Sequence, residues 1–323
     1  MIKGLAITPP VLGRITIGRV IERDGKRLPQ MSDEFTITSQ VQSAEGWVRH
    51  PLDEKLREQQ GETKLRRIPV RLLFSEPELN LRAEYALFDR DTGRPLCVGN
   101  GETCRRRTAE GITELPCPSP DGCELAAGGR CKPYGRLNVV VGEDEEDPLG
   151  SFVFRTTGFN SIRTLAARLD YFKAVSGNRL ACLPLELRIR GKSTRQSFGR
   201  PIVYVDLTLR SGMTLGQALS EAQSLEQERE AMGFHQRALD TAARQGLANG
   251  AFEDSAEEGA AVVDEFYPQE DVATVSGTVR TLSEKLGEMT SSTASGDSSD
   301  ASAAATTTSS ARDDKSTLSS AAG

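Results

Sequence analysis

No apolar run in this sequence is long enough to cross a bilayer; a segment such as Leu137–Val141 falls far short of the ~20 residues a helical span needs. The amino terminus also lacks a basic stretch followed by an apolar one, so no secretory leader is expected and the chain reads as cytoplasmic, with no membrane contact. Aromatic residues make up 5% of the chain, with a single tryptophan, which leaves little stacking surface for a general single-strand-binding protein. Histidine is scarcer still. His50 and His235 are the only two, so a Cys-His or Ser-His-Asp device would have to use one of them, and neither sits in a recognisable setting. His50, beside Trp47, reads as a packing or surface residue.

Other catalytic motifs fail on inspection. Gly191-Lys192-Ser193 would end a phosphate-binding loop only with glycine at position 186, which is Glu186. Glu62-Thr63-Lys64 has the Glu-x-Lys spacing of some nucleases but lies in the polar run Gln59–Arg67 rather than on a hydrophobic strand. The expectation is therefore a protein that is not an enzyme, with a metal-dependent hydrolase or nuclease-like DNA-processing protein as the alternative.

Hydrophobic residues are 37% of 323, low for a chain folded throughout. The deficit lies at the end: 24 of the last 33 residues are Ser, Ala or Thr, too little apolar surface to offset the entropy of folding. Charge is just as uneven beneath the net −6. Residues 1–213 hold 33 Lys and Arg against 27 Asp and Glu, and residues 214–323 hold 7 against 19. Residues 151–213 alone carry 11 basic and 3 acidic side chains, an excess suited to a polyanion such as DNA.

Strand patterns dominate the first two thirds: Leu12–Val20, Phe35–Thr38, Ile68–Phe74, Leu81–Phe88, Leu137–Val141 and Phe152–Thr156. Ile162, Leu165, Ala166, Leu169 and Phe172 have helical spacing, with Asn160 or Ser161 available as N-cap. Leu183, Leu185, Leu187 and Ile189 alternate, as do Val203, Val205, Leu207 and Leu209, which predicts an antiparallel pair. Thr214 is placed to cap a polar helix reaching about Met232, Gly233 interrupts it, and a second helix is expected over His235–Gln245. The fold class is thus α+β: a β-rich core with antiparallel strands, an inserted four-cysteine zinc-binding module, few helices and a disordered C-terminal tail. The expected divisions are a folded domain over 1–213 with the module at 97–134, a helical extension over 214–248, and an acidic, then Ser/Ala/Thr-rich tail over 249–323.

The alternation in the pair sends Arg188, Arg190 and Arg210 to the face opposite Leu185 and Leu207, and the connection adds Lys192, Arg195 and Arg200. That is either a basic finger for phosphates or an ordinary solvated sheet face. In the tail, residues 252–271 carry eight acidic side chains and no basic ones, and Val262-Val263-Asp264-Glu265-Phe266-Tyr267-Pro268 sets apolar groups among them. Such a segment either docks on a basic, apolar groove of a protein partner or merely solubilises the chain.

The thiols carry the clearest chemistry. In a reducing compartment clustered cysteines are better read as metal ligands than as crosslinks, and Cys97, Cys104, Cys117, Cys123 and Cys131 follow one another with no histidine nearby. Structural zinc takes four thiolates. Cys104, Cys117, Cys123 and Cys131 are the expected ligands, with Cys97 as the alternative because it ends a strand-like segment and could pack as a small hydrophobe. Arg105, Arg106, Arg107, Arg130 and Lys132 flank the outer ligands and would offset the charge of a tetrathiolate zinc; unligated thiols are the competing reading.

A series of short motifs runs through the same region: Gly13-Arg14-Ile15 with Ile17-Gly18, Phe35-Thr36-Ile37-Thr38-Ser39, Ile68-Pro69-Val70, Cys104-Arg105-Arg106, and Cys131-Lys132-Pro133 with Arg136-Leu137. In this order they resemble the phage recombination directionality factors that act on large serine integrases, over about residues 10–210. The resemblance implies a non-enzymatic accessory factor of a phage or integrative element. It would bind a site-specific recombinase of the serine-integrase type, with DNA as a further partner, and shift it from integration towards excision. Arg105, Arg106, Arg107, Lys132, Arg136, Arg188, Arg190, Lys192, Arg195 and Arg200 are the expected nucleic-acid or partner contacts, and zinc the expected structural cofactor.

Overall fold

The computed structural model describes residues 4–5, 7–23, 26–43, 46–142, 147, 149–193, 195, 201–248, 250–252, 262–263 and 266–267. Residues 271–323 form a separate unit outside the described set, so the Ser/Ala/Thr-rich end of the expected tail lies beyond it.

Along the chain, β1 (Gly4–Leu5) leads into the long strands β2 (Val11–Arg23) and β3 (Lys26–Ser43), the short β4 (Gly46–Arg49), helix α1 (Pro51–Gln60) and β5 (Arg67–Arg71). A single helical turn, α2 (Pro77–Asn80), precedes β6 (Leu81–Phe88), and three short strands follow: β7 (Pro95–Gly99), β8 (Thr103–Thr108) and β9 (Gly111–Pro116). A turn of helix, α3 (Ser119–Gly122), separates these from β10 (Lys132–Val141), β11 (Ser151–Thr156) and α4 (Phe159–Val175). The hairpin β12 (Leu185–Lys192) and β13 (Ile202–Leu209), helices α5 (Leu215–Ala231) and α6 (Gln236–Ala248), and strand β14 (Gly250–Phe252) complete the described elements.

Strands β2 to β13 make one twelve-stranded sheet in the order β4-β3-β2-β11-β10-β6-β7-β8-β9, and at its far end β10 also pairs with β5, which leads to β12 and β13. All pairs in it are antiparallel except β2 with β11. Strand β14 pairs separately and in parallel with β1.

Alternation gives this sheet two different faces. On one lie Ile15, Phe35, Ile37, Leu137, Val139, Phe152 and Phe154, packed with Leu165 and Leu169 of α4 into the main core. The helix approaches closely because β10 carries Gly135 beneath it: a Cβ there would come within 2.9 Å of Ile162 Cγ1. The other face carries Arg14, Arg82, Tyr134, Arg136 and Arg155, each one residue out of phase with the core row.

Gly13 belongs to the same close packing, since its added Cβ would meet the Thr38 carbonyl oxygen at 2.5 Å and Phe152 Cε1 at 2.7 Å. Replacing Gly13 by Ala is predicted to cost about 1–3 kcal/mol through displacement of the β3 backbone, read as a lower urea midpoint with an unchanged m-value. A midpoint equal to wild type would show that β2 and β3 can part without penalty.

Several local expectations hold. Thr214 caps α5 through a reciprocal capping box with Gln217, and the hairpin pairs Leu187 with Leu207 and Ile189 with Val205. Others need correction. Gly158, not Asn160 or Ser161, is the N-cap of α4; Ser161 Oγ instead accepts the buried Val205 backbone N–H at 3.1 Å, tying the helix to the hairpin. Helix α1 has no expected counterpart. His50 caps it, with Nδ1 accepting from the Leu52 N–H at 3.2 Å, and its ring packs edge-on to Phe152. The cysteine region, for which no strands were expected, is largely a β-meander of β7, β8 and β9. Of the expected tail, 249–323, the described residues are β14, Val262, Val263, Phe266 and Tyr267; Val262 and Phe266 are buried with Ala86, Phe88 and Tyr134, and the remainder of that expectation lies outside the described residues.

Candidate functional site

The meander brings the thiols together. Strand β7 pairs with β6 and β8, placing Cys97 opposite Leu87 on one side and Arg106 on the other, while Gly99 faces Cys104. That last contact needs glycine: a Cβ on Gly99 would lie 2.6 Å from Cys104 Cβ. Cys117 is fixed just after β9 by its N–H to the Glu102 carbonyl at 2.8 Å, Cys123 follows α3, and Cys131 stands immediately before β10. Cys104 is buried and the other four are half-buried.

Arg106 sits among them, its Nη2 4.0 Å from both Cys104 Sγ and Cys123 Sγ. A hydrogen bond to Cys97 and the nearby sulfurs hold its guanidinium above the ordinary arginine value. Burial, followed by a hydrogen bond to Cys97, pushes the Cys104 thiol up to about 11. Burial, with the other four thiols adding to it, pushes Cys131 up to about 12. The five sulfurs therefore feel one another, and Cys97, expected as the bystander, faces Arg106 and Cys104 like the rest. Among the described residues no group of three or more His, Cys, Asp or Glu side chains is arranged to hold a metal ion. The donor chemistry does suit zinc: all thiols, one cation among them, and small strands with little apolar core of their own.

The expected binding residues divide into three groups. Arg105 and Arg107 alternate with Cys104 and Arg106 along β8 and are exposed on the outer side of the meander; Arg105 stands opposite Glu114 of β9. Lys132 and Arg136 lie on β10. Lys132 Nζ donates to the Phe266 carbonyl at 3.1 Å, whereas Arg136 is buried. Arg188, Arg190, Lys192 and Arg195 belong to the hairpin, and Arg200 lies outside the described residues.

The hairpin arginines are engaged by carboxylates that sequence reading passed over. Arg188 Nε donates to buried Glu186 at 2.9 Å, and Arg190 and Arg168 both reach buried Asp206, at 3.3 and 3.0 Å. Lys192 donates to Asn160 at 2.7 Å, and among the described hairpin residues Arg195 is an exposed cation near the tip. A groove of about 480 Å³ between α4 and the hairpin is lined by Arg168, Arg188, Arg190 and Arg210, with Tyr171 at its rim.

Sequence reading also missed the arginine row on the second face. Arg82, Arg136 and Arg155 are in direct register across β6, β10 and β11, and Arg14 lies on the next strand with its guanidinium 3.7 Å from the Trp47 ring. Each arginine was visible at an outward position of its own strand; only the strand order aligns them.

A family model described as Gp3-like, recombination directionality factor-like, matches residues 12–210. The chain belongs to this family. The match runs from the second residue of β2 to one residue past β13, so the family's span coincides with the twelve-stranded sheet and includes the whole cysteine meander. Helices α5 and α6, β14 and the acidic segment lie outside it. No curated protein and no solved structure matches the chain. Among the described residues of this Gp3-like protein, no helix is long and apolar enough to cross a membrane.

Proposed function

We propose that this chain is a non-enzymatic accessory factor of a phage or integrative element, which binds a serine-integrase-type recombinase and favours excision over integration. The observation that carries this reading is the family match across the entire sheet, residues 12–210. In this reading zinc, held by four of the clustered thiols, braces the β7–β9 meander so that Arg105 and Arg107 are presented on a rigid surface to the recombinase or its DNA. Rigidity matters because an accessory protein changes an outcome only through contacts that differ between two states of its partner. The hairpin end, with Arg195 exposed, supplies a second basic contact towards DNA.

The test is a reconstituted recombination assay with the integrase encoded by the same element. Adding the protein is expected to raise excision by at least about 10-fold and to depress integration, in the range of ordinary allosteric coupling. Exchanging Arg105 and Arg107 for glutamine, which keeps exposed polar side chains and sets no second carboxylate against Glu114, is expected to remove most of that gain while changing stability by no more than about 1 kcal/mol. Identical excision yields with and without the protein would refute the reading.

A further inference from the structure

The groove between α4 and the hairpin β12–β13 joins an apolar surface to a basic one. From α4 it is lined by Arg168, Tyr171 and Val175, which fall three or four residues apart and so share one side of the helix. The turn that leads from the hairpin into α5 adds Met213 and Leu215. Much of the apolar surface is left in water: Tyr171 is 68% exposed, Val175 49% and Leu215 45%. Single exposed apolar residues are ordinary on a protein surface, but three around one groove form a patch of the kind that partners cover.

Charge in the groove is equally one-sided. Among the described residues, four arginines line it and no carboxylate does. Glu186 and Asp206 are buried behind the arginines, where Glu186 engages Arg188 while Asp206 serves Arg168 and Arg190 together. These ion pairs orient the cations without cancelling them: three guanidiniums share two carboxylates, and all three stay half-buried at the surface. Each guanidinium has five N–H donors, more than its internal partner occupies. The result is a pre-formed receptor for carboxylates, bordered by apolar contacts.

We propose that this groove is a docking site for a short acidic segment of a partner protein, whose apolar side chains pack on Tyr171, Val175 and Leu215 and whose carboxylates meet Arg168, Arg188 and Arg190. A nucleic-acid backbone or a small anion would satisfy the arginines and leave the three apolar side chains in water; a peptide carries both kinds of group. Arginine beside an exposed aromatic ring is also the composition of strong protein contacts. The apolar pair of the chain's own acidic stretch is engaged elsewhere, with Val262 and Phe266 buried against Ala86, Phe88 and Tyr134. The contact is separate from Arg105 and Arg107 on the meander and from Arg195 near the hairpin tip.

Panning a phage-displayed library of random peptides, each about twelve residues long, against the full chain is expected to enrich sequences that combine carboxylates with large apolar side chains. A fluorescein-labelled copy of the most enriched peptide, followed by anisotropy, should bind Tyr171→Ser and Arg190→Gln at least about 5-fold more weakly than wild type. Tyr171 is exposed, so its exchange leaves the fold intact, and Arg190→Gln leaves Arg168 on Asp206. Arg195→Gln, outside the groove, should change affinity by less than about 2-fold, and a DNA duplex of about 20 base pairs should not displace the peptide from that variant. The proposal is overturned if no peptide is enriched, if the enriched peptides lack carboxylates or apolar groups, if either groove variant binds as tightly as wild type, or if the duplex displaces the peptide. Recombination does not enter this readout, so the accessory role and the groove can fail independently.

Discussion

Replacing Asp53 by alanine is expected to cost about 3–5 kcal/mol, the penalty for removing one partner of a buried ion pair. The Asp53 carboxylate is fully buried in the first turn of α1, where one oxygen accepts the Ile37 backbone N–H at 2.8 Å and the other accepts Arg57 Nε at 2.7 Å. Arg57 extends the link, donating to Glu34 at 2.8 Å, to the Phe35 carbonyl at 2.9 Å and to the Thr63 carbonyl at 2.8 Å. One carboxylate therefore fastens α1 to β3 at the point where Phe35 and Ile37 enter the core, and its charge also suits a helix N-terminus. Alanine would leave a buried N–H unpaired and a half-buried guanidinium without its main counterion. Against a typical total of 5–15 kcal/mol this loss is large and would show as a much lower urea midpoint. Asp53→Asn keeps an acceptor for Ile37 and should cost less, about 1–3 kcal/mol. A midpoint for the alanine variant within ~1 kcal/mol of wild type would mean that α1 is held by its apolar contacts alone.

The second large effect concerns the thiols. Metal analysis of the purified protein is expected to find one zinc per chain, and Cys104→Ser to lose it together with protection of β7–β9 from protease. Structural zinc supplies about 10–16 kcal/mol of apparent binding energy in small zinc-dependent peptides, enough to decide whether a short meander is ordered. The sign of the pH dependence follows from the thiols themselves. Without metal, burial holds Cys104 near 11 and Cys131 near 12, so both are protonated at neutral pH and zinc must displace those protons. Affinity should rise with pH, by about 1.4 kcal/mol per pH unit for each proton released, and acidification should release the metal. Cys97→Ser is the companion measurement: retention of zinc identifies Cys104, Cys117, Cys123 and Cys131 as the four ligands, and loss places Cys97 among them. Wild-type protein without zinc, or Cys104→Ser retaining a full equivalent, would remove the metal from this account.

Short-range pattern was legible to within a few residues. Leu81–Phe88 is the strand β6 at both ends, Ile162, Leu165, Leu169 and Phe172 all face the core from α4, and the hairpin register follows the alternation of Leu185–Ile189 and Val203–Leu209. The family resemblance was carried by the same kind of local feature: Gly13 permits close approach of β3, Arg14 points to one face and Ile15 to the other. What a neighbour in space contributes was not legible. Arg188 and Arg190 read as free basic groups because Glu186 and Asp206 carry no mark in the sequence of pointing at them.

By itself the sequence determined the longer strands, the hairpin and helices α4 to α6 with the hydrophobic face of each, the grouping of thiols within one short region and the charge contrast between its two parts, but not α1 or the meander β7–β9. Those properties depend on residues a few positions apart, where the periods of strand and helix act directly. The tertiary structure alone decided that five cysteines surround Arg106, that Arg82, Arg136 and Arg155 stand side by side, and that Phe266 returns to the sheet beside them. Each of these rests on strand order and register across separations of up to about 180 residues, set by how twelve strands bury one common face rather than by any local preference.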